Sequence, residues 1–255
     1  MVAAAAAAAL IGAGGCGGSS STTSSEPTAS KPTQPPTTAT EPAAPQVDKQ
    51  ADQRVADRSR LRLSDLPAGW TQSDQDSAGK AATCDSVKQV KGTTTARSES
   101  PQFDEEQSSY AASFTYLLAD EAAAHNAYAA LSSMDTRVCM GEKLGEGLKS
   151  LPEAKSAGPG KSAEIEVGTP TTAQLSAEPL GDERSAARIT VPLKAEGLDI
   201  NGYFDLTFTR TGRGVSMLYT ASVLSPFSAG LRGRLHAKLT SRLEALLHAE
   251  AAVGG

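Results

Sequence analysis

The chain reads as an α+β protein, with an antiparallel sheet packed by an Ala-rich helix pair and a C-terminal amphipathic helix. Three observations predict this. Apolar residues alternate in three consecutive segments between 187 and 223, the period of strands. Thr211-Gly212-Arg213-Gly214 separates the last two of them, a hairpin turn signal. Leu231, Leu235, Leu239, Leu243 and Leu246 then recur at steps of four and three, the period of a helix. Strands and helices are partly segregated along the chain, which is the α+β pattern.

The elements follow in order. Leu61 and Leu63 alternate as in a short strand or cap the core, and Pro67 and Gly69 mark a turn before Trp70, the sole tryptophan, which should pack inward. Cys84 to Val90 reads as a short helix with Val87 and Val90 inward. Ala96 to Phe103 is a candidate strand. Tyr110 to Leu118 is a clearer one, with Ala112, Phe114, Tyr116 and Leu118 on one side. A helix starts at Asp120 or Glu121, with Ala124, Tyr128 and Leu131 on its apolar face. A second helix spans about Asp135 to Leu151, lined by Val138, Leu144, Leu148 and Leu151. Gly141, Gly145 and Gly147 weaken it by ~1 kcal/mol each relative to Ala. A loop from Lys155 to Ser162 leads to a short strand, Ala163 to Val167. Ala187 to Leu193 follows, and Pro192 moves it towards a sheet edge. A loop through Gly197 and Asn201-Gly202 leads to Gly202 to Arg210, and the hairpin turn to Val215 to Val223. Such strands imply a sheet with one face solvated. The last helix, Ser228 to Ala249, should lie across the inner face.

Residues 1–57 have another character. Ala3 to Ile11 is an apolar run too short to span a bilayer, which needs ~20 residues, and of the length of a signal-peptide core. Ala13-Gly14-Gly15 supply small residues before Cys16. This order resembles the export signal and lipid-attachment cysteine of a bacterial lipoprotein. Residues 1–15 are then the signal peptide and Cys16 carries the acyl chains. Ala13 stands where the lipoprotein pattern prefers Leu, and Lys31 is the first basic residue. A start upstream of Met1 is one explanation for the missing basic region. Plain secretion and an Ala-rich start without a role are the alternatives. Gly17 to Val47 holds 13 Ser/Thr and six Pro in 31 residues. It cannot bury enough apolar area to offset its chain entropy, so 16–57 is expected to be a disordered tether. Ser and Thr beside Pro also suit O-glycosylation. Residues 58–250 are expected to form a single domain.

With Cys16 set aside, Cys84 and Cys139 remain. In an oxidising compartment such a pair is a disulfide candidate, and closing that loop stabilises by ~4 kcal/mol on the chain-entropy model. Two unrelated buried thiols are the alternative. Neither has a His or Cys partner at metal-ligand spacing. The net charge is −5, which argues against a nucleic-acid role.

Leu63-Ser64-Asp65-Leu66-Pro67-Ala68-Gly69-Trp70 resembles the L-x-x-L-P-x-G-W entry of many actinobacterial lipoproteins with sensor-like domains. The order of later elements is similar too, through the Arg210 to Gly212 hairpin to a final Leu/Arg helix. The extracellular sensor-like domain of mycobacterial-type serine/threonine kinases and the PsbP/Mog1-like lipoproteins share this plan. Over residues 58–250 the resemblance implies a module that binds a small molecule or a cell-wall component. It carries over no catalytic residues.

Other chemistry is poorly supported. Ala157-Gly158-Pro159-Gly160-Lys161-Ser162 ends like a P-loop, but the required earlier Gly is Lys155. His236 and His248 are too far apart on one helix to share a metal. His125, near Asp120 and Glu121, reads as a helix face in water. Asp104-Glu105-Glu106 reads as a solvated acidic turn. Arg234, Lys238 and Arg242 stand at i, i+4, i+8 and either meet anionic lipid or cell-wall polymers or form a solvated face. No serine-hydrolase elbow is present, and no cofactor is implied. The expectation is a non-enzymatic binding or sensing module, lipid-anchored on the outer face of the cell membrane. Its expected ligand is an apolar small molecule or a cell-wall component. An envelope enzyme and a structural partner in an envelope complex are the alternatives.

Overall fold

The computed structural model describes residues 48–73, 84–106, 108–149, 154–155, 162–163, 165–195 and 197–253. In chain order it contains α1 (Lys49–Ser59), a 3-10 turn (Leu63–Asp65), β1 (Trp70–Gln72), α2 (Asp85–Thr93), β2 (Ala96–Glu99), β3 (Phe103–Glu105) and β4 (Ser109–Leu117). Then come α3 (Glu121–Ser132), α4 (Met134–Lys149), β5 (Ala154–Lys155), β6 (Ser162–Ala163), β7 (Ile165–Val167) and β8 (Thr171–Leu175). β9 (Glu183–Ala195), β10 (Leu198–Thr211), β11 (Gly214–Val223) and α5 (Ala229–Val253) complete it. The class is α+β, as the alternation predicts.

The main sheet is antiparallel, in the order β1, β3, β4, β11, β10, β9, β7, and β5 and β6 pair separately. β2 extends the β3 position along β4, and β8 extends the β7 position along β9. Each of these two broken strands has a proline in its gap, Pro101 and Pro170. A proline cannot donate to the ladder, so it fits a strand at an interruption. Pro192 lies within β9, which is paired on both sides, and not at an edge. Its carbonyl accepts from Gly168 N at 2.8 Å, so its N–H-less position faces the gap between β7 and β8, where no donor is required. A Cβ on Gly168 would lie 3.0 Å from Pro192 Cβ.

Helices cover both faces of the sheet, which corrects the expected solvated face. On one face Phe114, Met217, Phe204, Leu206, Phe208 and Ile189 pack beneath α2, α3 and α4. On the other, Leu218, Ala111 and Leu117 meet Leu231, Leu235, Leu239 and Leu243 of α5 and Val55 and Ala56 of α1. Trp70 is buried there against Phe227, with ring centroids 6.0 Å apart. The sheet residues that suggested solvent are Ser, Thr and Asp: Ser113, Thr115, Asp205, Thr207, Thr209, Ser216 and Thr220 are all buried.

Three other expectations shift. The described structure begins with α1, in residues assigned to the tether. Asp48 caps it by accepting from Gln50 N and Ala51 N. Asn201-Gly202 lies inside β10 and not in a loop, since β10 already begins at Leu198, paired with Ala195 of β9. Val138 of α4 is 46% exposed, and the inward row is instead Arg137, Met140, Gly141, Gly145 and Leu148. Glycines serve here as contact positions: Cβ atoms on Gly141 and Gly145 would each lie 3.3 Å from Pro170. The turn at Gly212, φ +52°, joins β10 to β11 as expected.

Candidate functional site

α4 lies close against the broken edge strand because of those two glycines. Beside that seam is a groove of about 340 Å³. It is lined by Gly145, Val167, Gly168 and Pro170 and by Glu142, Glu146, Lys149 and Thr169. Lys143 donates to Glu146 at 2.7 Å. The groove therefore offers apolar surface from Val167 and Pro170 together with three charged side chains and the Thr169 hydroxyl. None of these lining residues was singled out as a ligand contact from sequence. The only signal available is three glycines in a helix, which read as weakness although two of them, Gly141 and Gly145, mark close packing.

Asp205, His236 and Arg213 centre three other polar clusters, each paired internally. Asp205, with no exposed side-chain surface, accepts from Arg188 Nε at 2.6 Å and Nη2 at 2.8 Å, and from Arg232. Arg188 also lies over the Tyr203 ring, 5.6 Å from its centroid. His236 pairs with Thr209 beneath α5, and burial, with Arg232 nearby, pushes its imidazole down to about 4. The hydroxyls of Thr207, Thr211, Thr220 and Thr240 are enclosed without a protein partner in the same region. Arg213 joins Asp52 of α1, at 2.6 Å, to Glu250 of α5.

The predicted site residues fall as follows. Cys84 and Cys139 are joined in a disulfide, Cα atoms 6.0 Å apart, linking the start of α2 to α4. Cys16 and the tether up to residue 47 lie outside the described residues, as do 156–161 of the P-loop-like stretch. His125 is not simply a solvated side chain, because its Nδ1 lies 2.9 Å from Glu183, which also binds Arg210. The basic row on α5 is largely engaged. Lys238 donates to the Asp65 carbonyl at 3.1 Å, and Arg242 to Asp65 Oδ1 and to the Arg60 carbonyl, both at 2.7 Å. Asp104 and Glu105 lie on β3, and Glu106 makes the turn with φ +49°. Among the described residues no group of three His, Cys, Asp or Glu can hold a metal ion. Nor is any helix there long and apolar enough to cross a membrane.

No family model matches the chain, and no curated protein matches it. Among solved structures, the extracellular domain of PknH from Mycobacterium tuberculosis is similar at 12% identity, with a TM-score of 0.33, over 69% of this chain and 78% of that one. At that score the likeness decides nothing about function.

Proposed function

We propose that this protein is a non-enzymatic binding or sensing module of the cell envelope. It is held on the outer face of the membrane by acyl chains on Cys16. Its ligand, a small molecule or cell-wall component with both apolar and hydrogen-bonding surface, occupies the groove between α4 and the broken edge strand. That groove is the observation that carries the reading. Concave sites with an apolar floor and a few polar groups are where ligands bind. The Cys84–Cys139 disulfide supports an oxidising compartment. The charged pairs set out above are satisfied by one another, which supports a binding role over a catalytic one.

The test is mass spectrometry of the protein extracted from its own envelope, in wild type and in Thr169→Trp, which fills the groove. The expected result is an acylated Cys16 and a co-purifying ligand that Thr169→Trp loses. A ligand retained in equal amount by Thr169→Trp would move the site elsewhere. An unmodified Cys16 in membrane-extracted protein would remove the anchor.

A further inference from the structure

Arg137 is the most enclosed arginine of the described residues that no carboxylate there neutralises. It is 7% exposed and stands in the first two turns of α4, facing β8. Its Nη1 donates to Gln174 Oε1. Its Nε is enclosed and has no hydrogen-bond partner, and Nη2 has none among the described residues. Arg188, Arg210, Arg213, Arg232 and Arg242, all more exposed at the side chain than a core residue, each hold a carboxylate.

A buried guanidinium without a counter-charge is costly, and burial lowers its pKa although Tyr128 opposes the shift. The positive end of the α4 dipole adds to the cost of a cation and favours an anion. The arrangement that would relieve it is present elsewhere in the fold. Arg188 grips Asp205 through the Nε–Nη2 edge, at 2.6 and 2.8 Å. The same edge of Arg137 is the unpartnered one. On the same first turns of α4, Met134, 59% exposed, and Val138, 46% exposed, are apolar side chains open to solvent one helical turn apart.

We propose that the Nε–Nη2 edge of Arg137 binds the anionic head, carboxylate or phosphate, of an amphiphilic ligand whose apolar part lies along Met134 and Val138. A guanidinium matches either oxyanion bidentately. This site is separate from the groove: Gly145 is eight residues further along α4, about 12 Å at 1.5 Å per residue. The proposal therefore stands or falls independently of the groove.

The experiment follows arginine Nε–H signals by NMR on the full chain, with the disulfide intact. The titrants are octanoate, octyl phosphate and inorganic phosphate. Arg188, already paired, is the internal control, and Arg137→Lys assigns the signal. The expected result is a saturable shift of the Arg137 signal with octanoate or octyl phosphate, while Arg188 stays still. In Arg137→Lys, octanoate affinity measured by calorimetry should fall by about tenfold or more, because a lysine cannot reproduce the bidentate fork. Saturation by inorganic phosphate at equal concentration would mean that a free anion suffices, which retains the anion site and removes the tail contacts. No saturable shift with any titrant would overturn the proposal. So would an Arg137 signal that moves instead in Glu153→Gln or Glu164→Gln, because the chain itself would then supply the counter-charge.

Discussion

Asp205 shows how much one buried residue can hold. Its carboxylate has no solvent exposure and carries two guanidinium groups, one from β9 and one from α5. Asp205→Ala leaves Arg188 and Arg232 facing each other without a counter-charge. Removing one partner of a buried ionic group costs ~3–5 kcal/mol, so denaturant unfolding should show a loss of about that size. A change below ~1 kcal/mol would mean that the cluster is solvated in solution. His236 sets a pH dependence. Its folded-state value of about 4 lies below the ~6.5 of an unfolded imidazole. Between those values the unfolded chain takes up a proton that the folded domain refuses. Stability is therefore full above pH ~6.5 and falls as the pH drops towards 4, by roughly 3 kcal/mol over the window. Thermal melts across this range should show the decline, and His236→Gln should flatten it. Neither residue's role was legible in the sequence. Asp205 and His236 sit at alternating or helical positions that read equally well as solvated.

In helix α4 the apolar pattern of the sequence and the packed face diverge most. Its length and its Leu148 were visible in the sequence, but its inward face was not. Apolar periodicity pointed to Val138, whereas the buried row includes Gly141 and Gly145. A glycine has no side chain to register in a hydrophobic pattern, yet it allows the closest approach of a helix to a strand. Gly145→Val tests this. Its side chain would push on Pro170, 3.3 Å from the added Cβ, and should cost about 1–3 kcal/mol by overpacking. The same change should alter the groove, read as lost binding of whatever ligand co-purifies. If stability is unchanged and the ligand stays, the close approach of α4 is not what shapes the site. The sheet was read more fully. β4, β10, β11 and the turn at Gly212 follow from alternation and turn chemistry. Pro192 is tolerated inside the sheet because the neighbouring strand is broken opposite it, which the sequence alone cannot show.

At the scale of the whole molecule, both ends of the folded chain meet at one place. Arg213 in the β10–β11 turn binds Asp52 near the start of α1 and Glu250 near the end of α5. Ser59 of α1 also hydrogen-bonds Thr115 of β4 at 2.9 Å. The N-terminal helix thus belongs to the domain, although residues 49–57 were expected in the tether; unlike the Ser/Thr/Pro-rich stretch before it, the helix is charged and free of proline. A chain beginning at Asp48 should melt like the full chain. One beginning at Leu61 loses the burial of Val55 and Ala56 and strips Arg213 of a buried partner, and should be less stable by at least about 3 kcal/mol. Equal melting temperatures for the two would show that α1 is dispensable. The sequence by itself determined the α+β class, the strands β4, β9, β10 and β11, the helices α2 to α5 and the cysteine pair, because period, turn residues and cysteine number can be read without knowing what packs against what. Only the tertiary structure decided that helices cover both faces of the sheet, that the Ser, Thr and Asp row is buried, and that Arg137 is enclosed with no carboxylate partner among the described residues. Those depend on which surfaces meet, and a polar side chain in a strand looks the same in sequence whether water or another helix lies over it.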